Sequence, residues 1–582
     1  MKNLLTLKKY FAVYKVKLFW GFIFIILSNA GSLYIPLLIK NAINELQKSA
    51  TSGILFHYAL LIVLTSLFAG YFRYMIRQKI IVVSREIEYD LRRDFWKHIQ
   101  LLPLRYFQNN STGNVMAHAT NDINAVRMFI GPAVMYSIDT SIALLIIIPI
   151  LISLNLSLTI YSLLPLPFLS YAVYRVGKLI HKKFTLIQEK FSDLTTMAQE
   201  NYAGIRVIKS YVREDSEINL FKILSNDYVK RNMEMIKVQA FIMPILFLIT
   251  GLSLIIVVWA GGIKVINHEM NLGQIAAFIV YLGELIWPMI AFGWVTNIIQ
   301  QGEASMKRLN KIFAEPYEIN DSKDTNFSIK EIKGKIEFKN VSFRYGDSLP
   351  YILKNVDLEI KQGQTVALMG YTGSGKTSFI NLIPRMYDVT EGEVLIDDVN
   401  IKNIPLEVLR TNIGLVQQES FLFSDTILNN ISYGLREIDK NKVQEVSRIA
   451  HFDKDVESFP SEYDTIMGER GITLSGGQKQ RASLARSLAI DPRIIILDDS
   501  FSAVDTNTEE AILRNLKEFM RNRTSIIISH RISTVKDADT ILVLSEGEIA
   551  EKGTHDELVK LDGIYAELHY KQLLEKELEE IK

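Results

Sequence analysis

Six apolar runs, nearly free of charge and each close to the roughly 20 residues a helix needs to cross a hydrocarbon core, lie at residues 18–39, 53–72, 132–154, 156–174, 241–263 and 272–296. All of them precede residue 300 in a chain of 582. One such run can be a buried helix of a large soluble protein, but six in one half leave too little polar sequence to wrap them. The first half therefore reads as a membrane domain. Beyond it, apolar residues come in strand-length clusters such as 494–497 and 525–529, separated by Gly, Asp, Asn and amphipathic stretches. That is the pattern of a soluble α/β domain.

Loop charges orient the membrane half. Residues 73–127 carry Arg77, Lys79, Arg85, Arg92, Arg93, Lys97 and Arg105, and residues 175–237 carry Lys178, Lys182, Lys183, Arg206, Lys209 and Arg213. By the positive-inside rule both segments face the cytoplasm, with the N-terminus and, after six crossings, the soluble half. The first run follows Lys8, Lys9, Lys15 and Lys17; it is longer than a signal-peptide core and no small-x-small site follows, so a retained anchor is expected. Residues 4–16 mix Leu, Phe and Val with lysines at helical spacing, which predicts an interfacial helix along the headgroups. Helical periodicity continues through 85–99 and 184–203, so the membrane helices are expected to extend into the cytoplasm. Their turning points, around 107–113 and 212–215, are candidate contacts for the soluble domain. The polar stretch 314–328 reads as a linker. The expected domains are 1–313 in the membrane, 314–332 as linker and 333–582 as the soluble domain.

Composition removes whole classes of chemistry. Lys plus Arg number 65 against 64 Asp plus Glu, a formal charge of +1, so the chain as a whole offers no electrostatic reason to bind nucleic acid. Cysteine is absent, which excludes disulfides, zinc-thiolate and iron-sulfur centres and a thiol nucleophile. The 9 histidines form no His-x-x-x-His or His-x-His pair, so a dedicated metal site of side chains is not expected.

The most specific local signal is Gly370-Tyr371-Thr372-Gly373-Ser374-Gly375-Lys376-Thr377, which fits G-x-x-x-x-G-K-[ST] between a strand-like 365–369 and a helical 378–385. Backbone N–H groups of such a loop and the helix start behind it converge on phosphate. Gly370, Thr372, Gly373, Ser374, Gly375 and Ser378 are its candidate contacts. Lys376 would reach the β- and γ-phosphates of ATP, and the Thr377 hydroxyl would hold Mg²⁺. A second strand, 494–497, ends in Asp498 and Asp499 at the sheet edge where open α/β folds bind ligands. Alone, that pair reads as a helix cap; beside a phosphate loop, Asp498 reads as the magnesium carboxylate. The fold class expected is thus a membrane domain of six transmembrane helices with long cytoplasmic extensions, followed by an α/β P-loop nucleotide-binding domain.

Between the two strands lies Leu474-Ser475-Gly476-Gly477-Gln478, which resembles the signature of ATP-binding cassette (ABC) proteins. Other elements fall in that family's order. The resemblance implies Tyr345 as the aromatic that stacks on adenine, Gln418 as the loop glutamine near Mg²⁺ and the membrane domain, Ser502 to Asp505 as the D-loop, and His530 as the γ-phosphate sensor. Gly468-Glu469-Arg470-Gly471 resembles the X-loop, and 104–107 and 200–209 resemble the intracellular-loop segments of the family's exporters. Six crossings followed by one cassette is the layout of an exporter-type half-transporter. Such a chain pairs with a second half-transporter subunit, and Ser475, Gly476, Gly477 and Gln478 would bind the partner's nucleotide.

One position departs from the family. Glu normally follows the Mg²⁺-binding Asp and polarises the attacking water; here it is Asp499. The shorter carboxylate falls short by about 1 Å, a misplacement that costs roughly 10²-fold. The exporters that the chain resembles often carry such a change in one subunit of a heterodimer, so the resemblance implies a heterodimer in which this chain's own site, formed by Lys376, Asp498 and Asp499 with His530 and Gln418 as further catalytic candidates, hydrolyses weakly. Its signature would complete the competent site. The cargo expected is a hydrophobic or amphipathic compound, moved out of the cytoplasm. Asp139, Tyr281 and Glu284 are candidate cargo residues, because intramembrane ionisable groups are functional by default and Gln274, Tyr281, Glu284 and Pro288 recur at helical spacing. Other readings are a homodimeric lipid or peptide exporter and, from another class, an ATP-gated channel or sensor.

Overall fold

Apolar runs in lipid leave the backbone no partner but itself, and the chain is helical through nearly all of its first 313 residues. The computed structural model describes residues 2–48, 51–468, 471 and 474–580. The chain divides into two units, residues 1–100 with 112–315, and residues 101–111 with 316–582.

The helices of the first unit are α1 (Lys15–Gln47), α2 (Ser52–Gln100), α3 (Thr112–Leu154), α4 (Leu156–Leu163), α5 (Leu166–Ala203), α6 (Glu214–Ile266) and α7 (Leu272–Phe313). Among the described residues, α1, α2, α3, α6 and α7 are long and apolar enough to cross a membrane. The fourth predicted run is shared between α4 and the first turns of α5, broken by a turn at Leu164 and Pro165. Proline has no N–H to continue the ladder there. Helices α2 and α5 continue well past their apolar runs, as the periodicity through 85–99 and 184–203 predicts.

Single π-helical turns at Arg77–Ile81, His118–Asp122 and Phe129–Ala133 interrupt α2 and α3. At the second, Asp122 accepts from Arg308 Nε of α7 at 3.0 Å and meets His118 Nδ1 at 2.6 Å. The N-terminal segment packs its inner side against α2. Leu7 and Tyr10 are buried, and Tyr10, Tyr14 and Lys17 donate to Asp94, Asp90 and Glu86 of α2 at 2.7, 2.9 and 2.6 Å. Its outer side, Leu5 and Val13, stays exposed.

The second unit holds two sheets. Strands β1 (Ile336–Phe343), β2 (Leu353–Ile360), β4 (Glu391–Ile396) and β5 (Val399–Asn400) form an antiparallel sheet in the order β2-β1-β4-β5. Strands β3 (Thr365–Met369), β6 (Ile413–Val416), β7 (Ile494–Asp498), β8 (Thr524–Ile528), β9 (Thr540–Ser545) and β10 (Glu548–Gly553) form the second, in the order β10-β9-β3-β8-β7-β6. All but β10 are parallel. Parallel strands are covered on both faces, hence their unbroken apolar runs: Ile494 and Ile496 of β7 enter one core, Ile495 and Leu497 another. The helices used below are α8 (Lys376–Leu382), α9 (Gly476–Ala489), α10 (Thr506–Met520) and α11 (Ile564–Glu580).

Residues 101–111 belong to this unit although they sit between two membrane helices in sequence. Their short helix, Leu104–Asn109, brings Arg105 within 4.0 Å of Glu318. Gln108 lies beside the Tyr387 hydroxyl, which burial pushes up to about 12. At the other expected turning point Val212 takes a left-handed φ of 49° and is exposed. The polar linker does not hang free. Leu406 N donates to Asp321 at 2.9 Å, Asn326 N to the Asn403 carbonyl at 2.8 Å, and Ile332 joins the core.

Candidate functional site

Strand order builds the site. Strands β3, β8, β7 and β6 are adjacent and parallel, with Leu368 opposite Ile528 and Ile528 opposite Asp498. Their C-terminal ends therefore share one edge. The phosphate loop leaves β3, His530 follows β8, Asp498 and Asp499 close β7, and Gln418 follows β6. Four segments spread over some 160 residues of sequence thus meet at one sheet edge, as ligand sites of open α/β folds do.

The loop's glycines are demanded by its path. Gly370, Gly373 and Gly375 have φ of 140°, 87° and 102°, where side chains strain the backbone. A Cβ on Gly370 would stand 2.2 Å from the Leu544 carbonyl oxygen. Lys376 is buried and its ammonium donates to the Gly370 and Tyr371 carbonyls at 2.8 and 2.9 Å, bracing the loop. Burial lowers its pKa, against the pull of Asp498 and Asp499. Thr377 Oγ1 donates to Asp498 Oδ2 at 3.1 Å. Burial, reinforced by the Asp499 charge, raises the Asp498 carboxyl above the usual range, and Thr377, Lys376 and His530 oppose it. The hydroxyls of Ser374 and Ser500 are buried there without hydrogen-bond partners. A hydroxyl and a carboxylate in contact are the hard oxygen ligands Mg²⁺ prefers, so the residues present fit that ion.

Asp499 itself has φ 45°. Its N–H donates to the Ile528 carbonyl at 2.9 Å and its carbonyl accepts from Ser502 Oγ at 3.1 Å. Gln418 and His530 are exposed. The Tyr345 ring packs edge-on against Phe343 and Tyr387, and its hydroxyl meets Ser378 Oγ of α8 at 2.9 Å. Tyr345 is thus next to the phosphate-loop helix.

Ser475, Gly476, Gly477 and Gln478 lie apart from that loop in the hydrogen-bond network. Ser475 caps α9 in a reciprocal capping box with Gln478. Gln478 also donates to Asp455 at 2.9 Å, and Arg481 pairs with the same carboxylate at 2.6 Å. Gln480 holds the D-loop, donating to Ser502 Oγ and accepting from Ala503 N. Asp505 caps α10 through Thr508 N at 3.0 Å, which holds its carboxyl below the usual range. Asp455, Gln480 and Arg481 are not legible as site residues in the sequence, because their partners are distant along the chain. Of the predicted X-loop, Glu469 and Arg470 lie outside the described residues.

The predicted cargo face divides. Tyr281 and Pro288 point into the bundle, with the Tyr281 hydroxyl on the Leu33 carbonyl at 2.7 Å. Tyr281 therefore joins α1 to α7 and offers no free surface to cargo, which corrects that expectation. Asp139 accepts from Asn29 Nδ2 at 2.6 Å, joining α1 to α3. Glu284 and Trp287 are exposed. A nearby apolar cavity of about 280 Å³ lies between α6 and α7, lined by Phe247, Ser253, Leu282 and Ile286 among others.

Two family models match, the ABC transporter transmembrane region over residues 18–289 and the ABC transporter domain over residues 353–502. The probable multidrug resistance ABC transporter ATP-binding/permease protein YheI of Bacillus subtilis (strain 168) is 36% identical over 569 residues, 97% of each chain. The chain belongs to the ABC transporter family. The multidrug resistance-like ATP-binding protein MdlA of Escherichia coli (strain K12) is 34% identical to this transporter over 91% of its chain and 90% of MdlA. An ATP-dependent lipid A-core flippase of Syntrophus aciditrophicus (strain SB) is 32% identical over 95% and 92%. A solved bacterial Atm1-family ABC exporter with ATP bound superposes with a TM-score of 0.81 at 26% identity, covering 96% of this chain and 99% of that one. The transporter is therefore a multi-pass membrane ABC exporter with a cytoplasmic nucleotide-binding domain. It binds ATP, couples its hydrolysis to export, and works in the membrane as one half of a dimer.

Proposed function

We propose that this transporter exports hydrophobic or amphipathic compounds of the multidrug type as the weakly hydrolysing half of a heterodimer. The observation that carries this reading is Asp499 directly after Asp498. A carboxylate one methylene short leaves the attacking water about 1 Å from its best position, roughly 10² in rate. Tyr345 stacks on adenine, and Gly370, Thr372, Gly373, Ser374, Gly375 and Ser378 line the phosphates that Lys376 neutralises. Thr377, Asp498 and Gln418 would hold Mg²⁺, which when bound would screen the charge of the β- and γ-phosphates. His530 reads the γ-phosphate. The partner's nucleotide is held by Ser475, Gly476, Gly477 and Gln478, with Asp505 beside it in the D-loop. The proposed domains are 1–313, 314–332 and 333–582.

Closure of two cassettes on ATP drives transport only by favouring one arrangement of the membrane helices. Inverting a preference of 1:99 takes about 5.5 kcal/mol of differential binding, which two nucleotides held from both sides supply. Residues 101–111, which pack with the nucleotide-binding unit, carry the change to α2 and α3.

ATP turnover of the chain purified alone, against the chain assembled with a second half-transporter, tests the pairing. Slow turnover alone and fast turnover when paired are expected; brisk magnesium-dependent turnover alone refutes it. The resemblance to a lipid A-core flippase favours a homodimeric lipid exporter as second reading. Uphill, ATP-dependent uptake of a dye but not of a labelled lipid in inverted vesicles separates the two, and it also excludes a channel, which only equilibrates.

A further inference from the structure

The last described helix reaches the nucleotide site at two points that no sequence motif marks. Helix α11 starts from a fixed point: Glu551 of β10 accepts from Ile564 N and Tyr565 N at 2.5 and 3.0 Å, and the fully buried Tyr565 meets His555 Nδ1 at 2.6 Å. From that base, Glu567 lies beside the Tyr371 hydroxyl of the phosphate loop. One and a half turns later, the Gln572 carboxamide brackets the loop after β8. Its oxygen accepts from Ile532 N at 2.9 Å and its nitrogen donates to the His530 carbonyl. One planar amide thus spans the backbone on both sides of Arg531. The same loop is held from α10, where buried Glu509 accepts from Arg531 and from Thr534 at 2.5 Å.

We propose that Gln572 is the positioning residue for His530, holding the loop backbone so that the imidazole meets the terminal phosphate of ATP. The proposal rests on the reading of His530 as γ-phosphate sensor. His530 is exposed at the C-terminal sheet edge, two residues past the end of β8 and two before the helix Ile532–Val535. An amide that satisfies one donor and one acceptor across three residues removes the freedom that an exposed loop otherwise keeps. Removing it leaves the ring present but displaced, so the cost falls on ATP and spares ADP, which has no γ-phosphate.

The test measures equilibrium affinities of the full-length transporter, assembled with its second half, for ATP and ADP. Gln572→Met keeps the length of the side chain and removes both hydrogen bonds. A three- to tenfold loss of ATP affinity, the worth of a lost hydrogen bond, with ADP affinity unchanged is the expected result. His530→Ala should shift the ATP-to-ADP ratio at least as far, and the double variant no further than His530→Ala alone, because the amide acts through the ring. Retained ADP binding reports the fold. Should Gln572→Met fail to bind ADP, Gln572→Asn, which retracts the same amide by one methylene, is read identically. An unchanged ratio in the Gln572 variant with a shifted one in His530→Ala overturns the positioning role alone. An unchanged ratio in His530→Ala overturns the sensor reading beneath it. Additive effects in the double variant also overturn the proposal.

Discussion

Gly477 approaches the D-loop so closely that a Cβ on it would lie 2.8 Å from the Ala503 carbonyl oxygen. The start of α9 and the D-loop are therefore one rigid corner, closed by Gln480 on Ser502 and Ala503. Gly477→Ala forces that corner open by a fraction of an ångström to an ångström. Steady-state ATPase of the assembled dimer should fall by about 10²-fold, with nucleotide binding at this chain's own phosphate loop unchanged. An ATPase rate within twofold of the wild type would show that the corner tolerates the methyl and carries no precision.

Asp499 sits at φ 45°, a conformation that Asp adopts more readily than most residues. Asp499→Glu lengthens the carboxylate by one methylene, toward the water that the proposed function has it polarise. ATP turnover at this chain's site should rise roughly 10- to 100-fold, read in a dimer whose other site is disabled. If the rate does not move, the deficit at this site lies elsewhere than in carboxylate reach.

Tyr345 contributes a ring and a hydroxyl that can be separated. Tyr345→Phe loses only the contact with Ser378 Oγ and should change ATP affinity less than threefold. Tyr345→Ala removes a stacking surface worth about 1–3 kcal/mol for a base on an aromatic, so affinity for ATP should drop by about tenfold or more in equilibrium titration. Equal affinities in all three forms would place adenine away from this ring.

Within the membrane half, Asp139 and Tyr281 are joined to Asn29 and the Leu33 carbonyl, whereas Glu284 is exposed. Interhelical hydrogen bonds of this kind are worth about 0.6–2 kcal/mol. Asp139→Ala and Tyr281→Phe should each lower the unfolding temperature of the detergent-solubilised protein and leave the apparent affinity for a transported dye unchanged. Glu284→Gln should do the reverse. A changed dye affinity in Tyr281→Phe with unaltered stability would return that residue to the cargo path.

Much of this molecule is legible before any coordinates. The membrane half is, because each apolar run carries its own reason to be a helix in lipid. The phosphate loop is, because Gly370, Gly373 and Gly375 specify a local backbone path that needs no distant partner. The interfacial reading of residues 4–16 is less complete: the pattern shows an amphipathic helix but not that Asp94, Asp90 and Glu86 take its inner side.

What folding alone decided concerns partners far apart in the chain. Periodicity groups Tyr281 with Glu284, yet whether a face meets another helix or stays open depends on the neighbour, and α1 takes Tyr281. Likewise residues 101–111 pack with the soluble unit, and Gln572 reaches His530 across 42 positions. Local chemistry dictates backbone shape within a turn or strand, while a side-chain hydrogen bond forms wherever strand order happens to set donor beside acceptor. Only the assembled sheet, with β3, β8, β7 and β6 side by side, makes one site out of separate motifs.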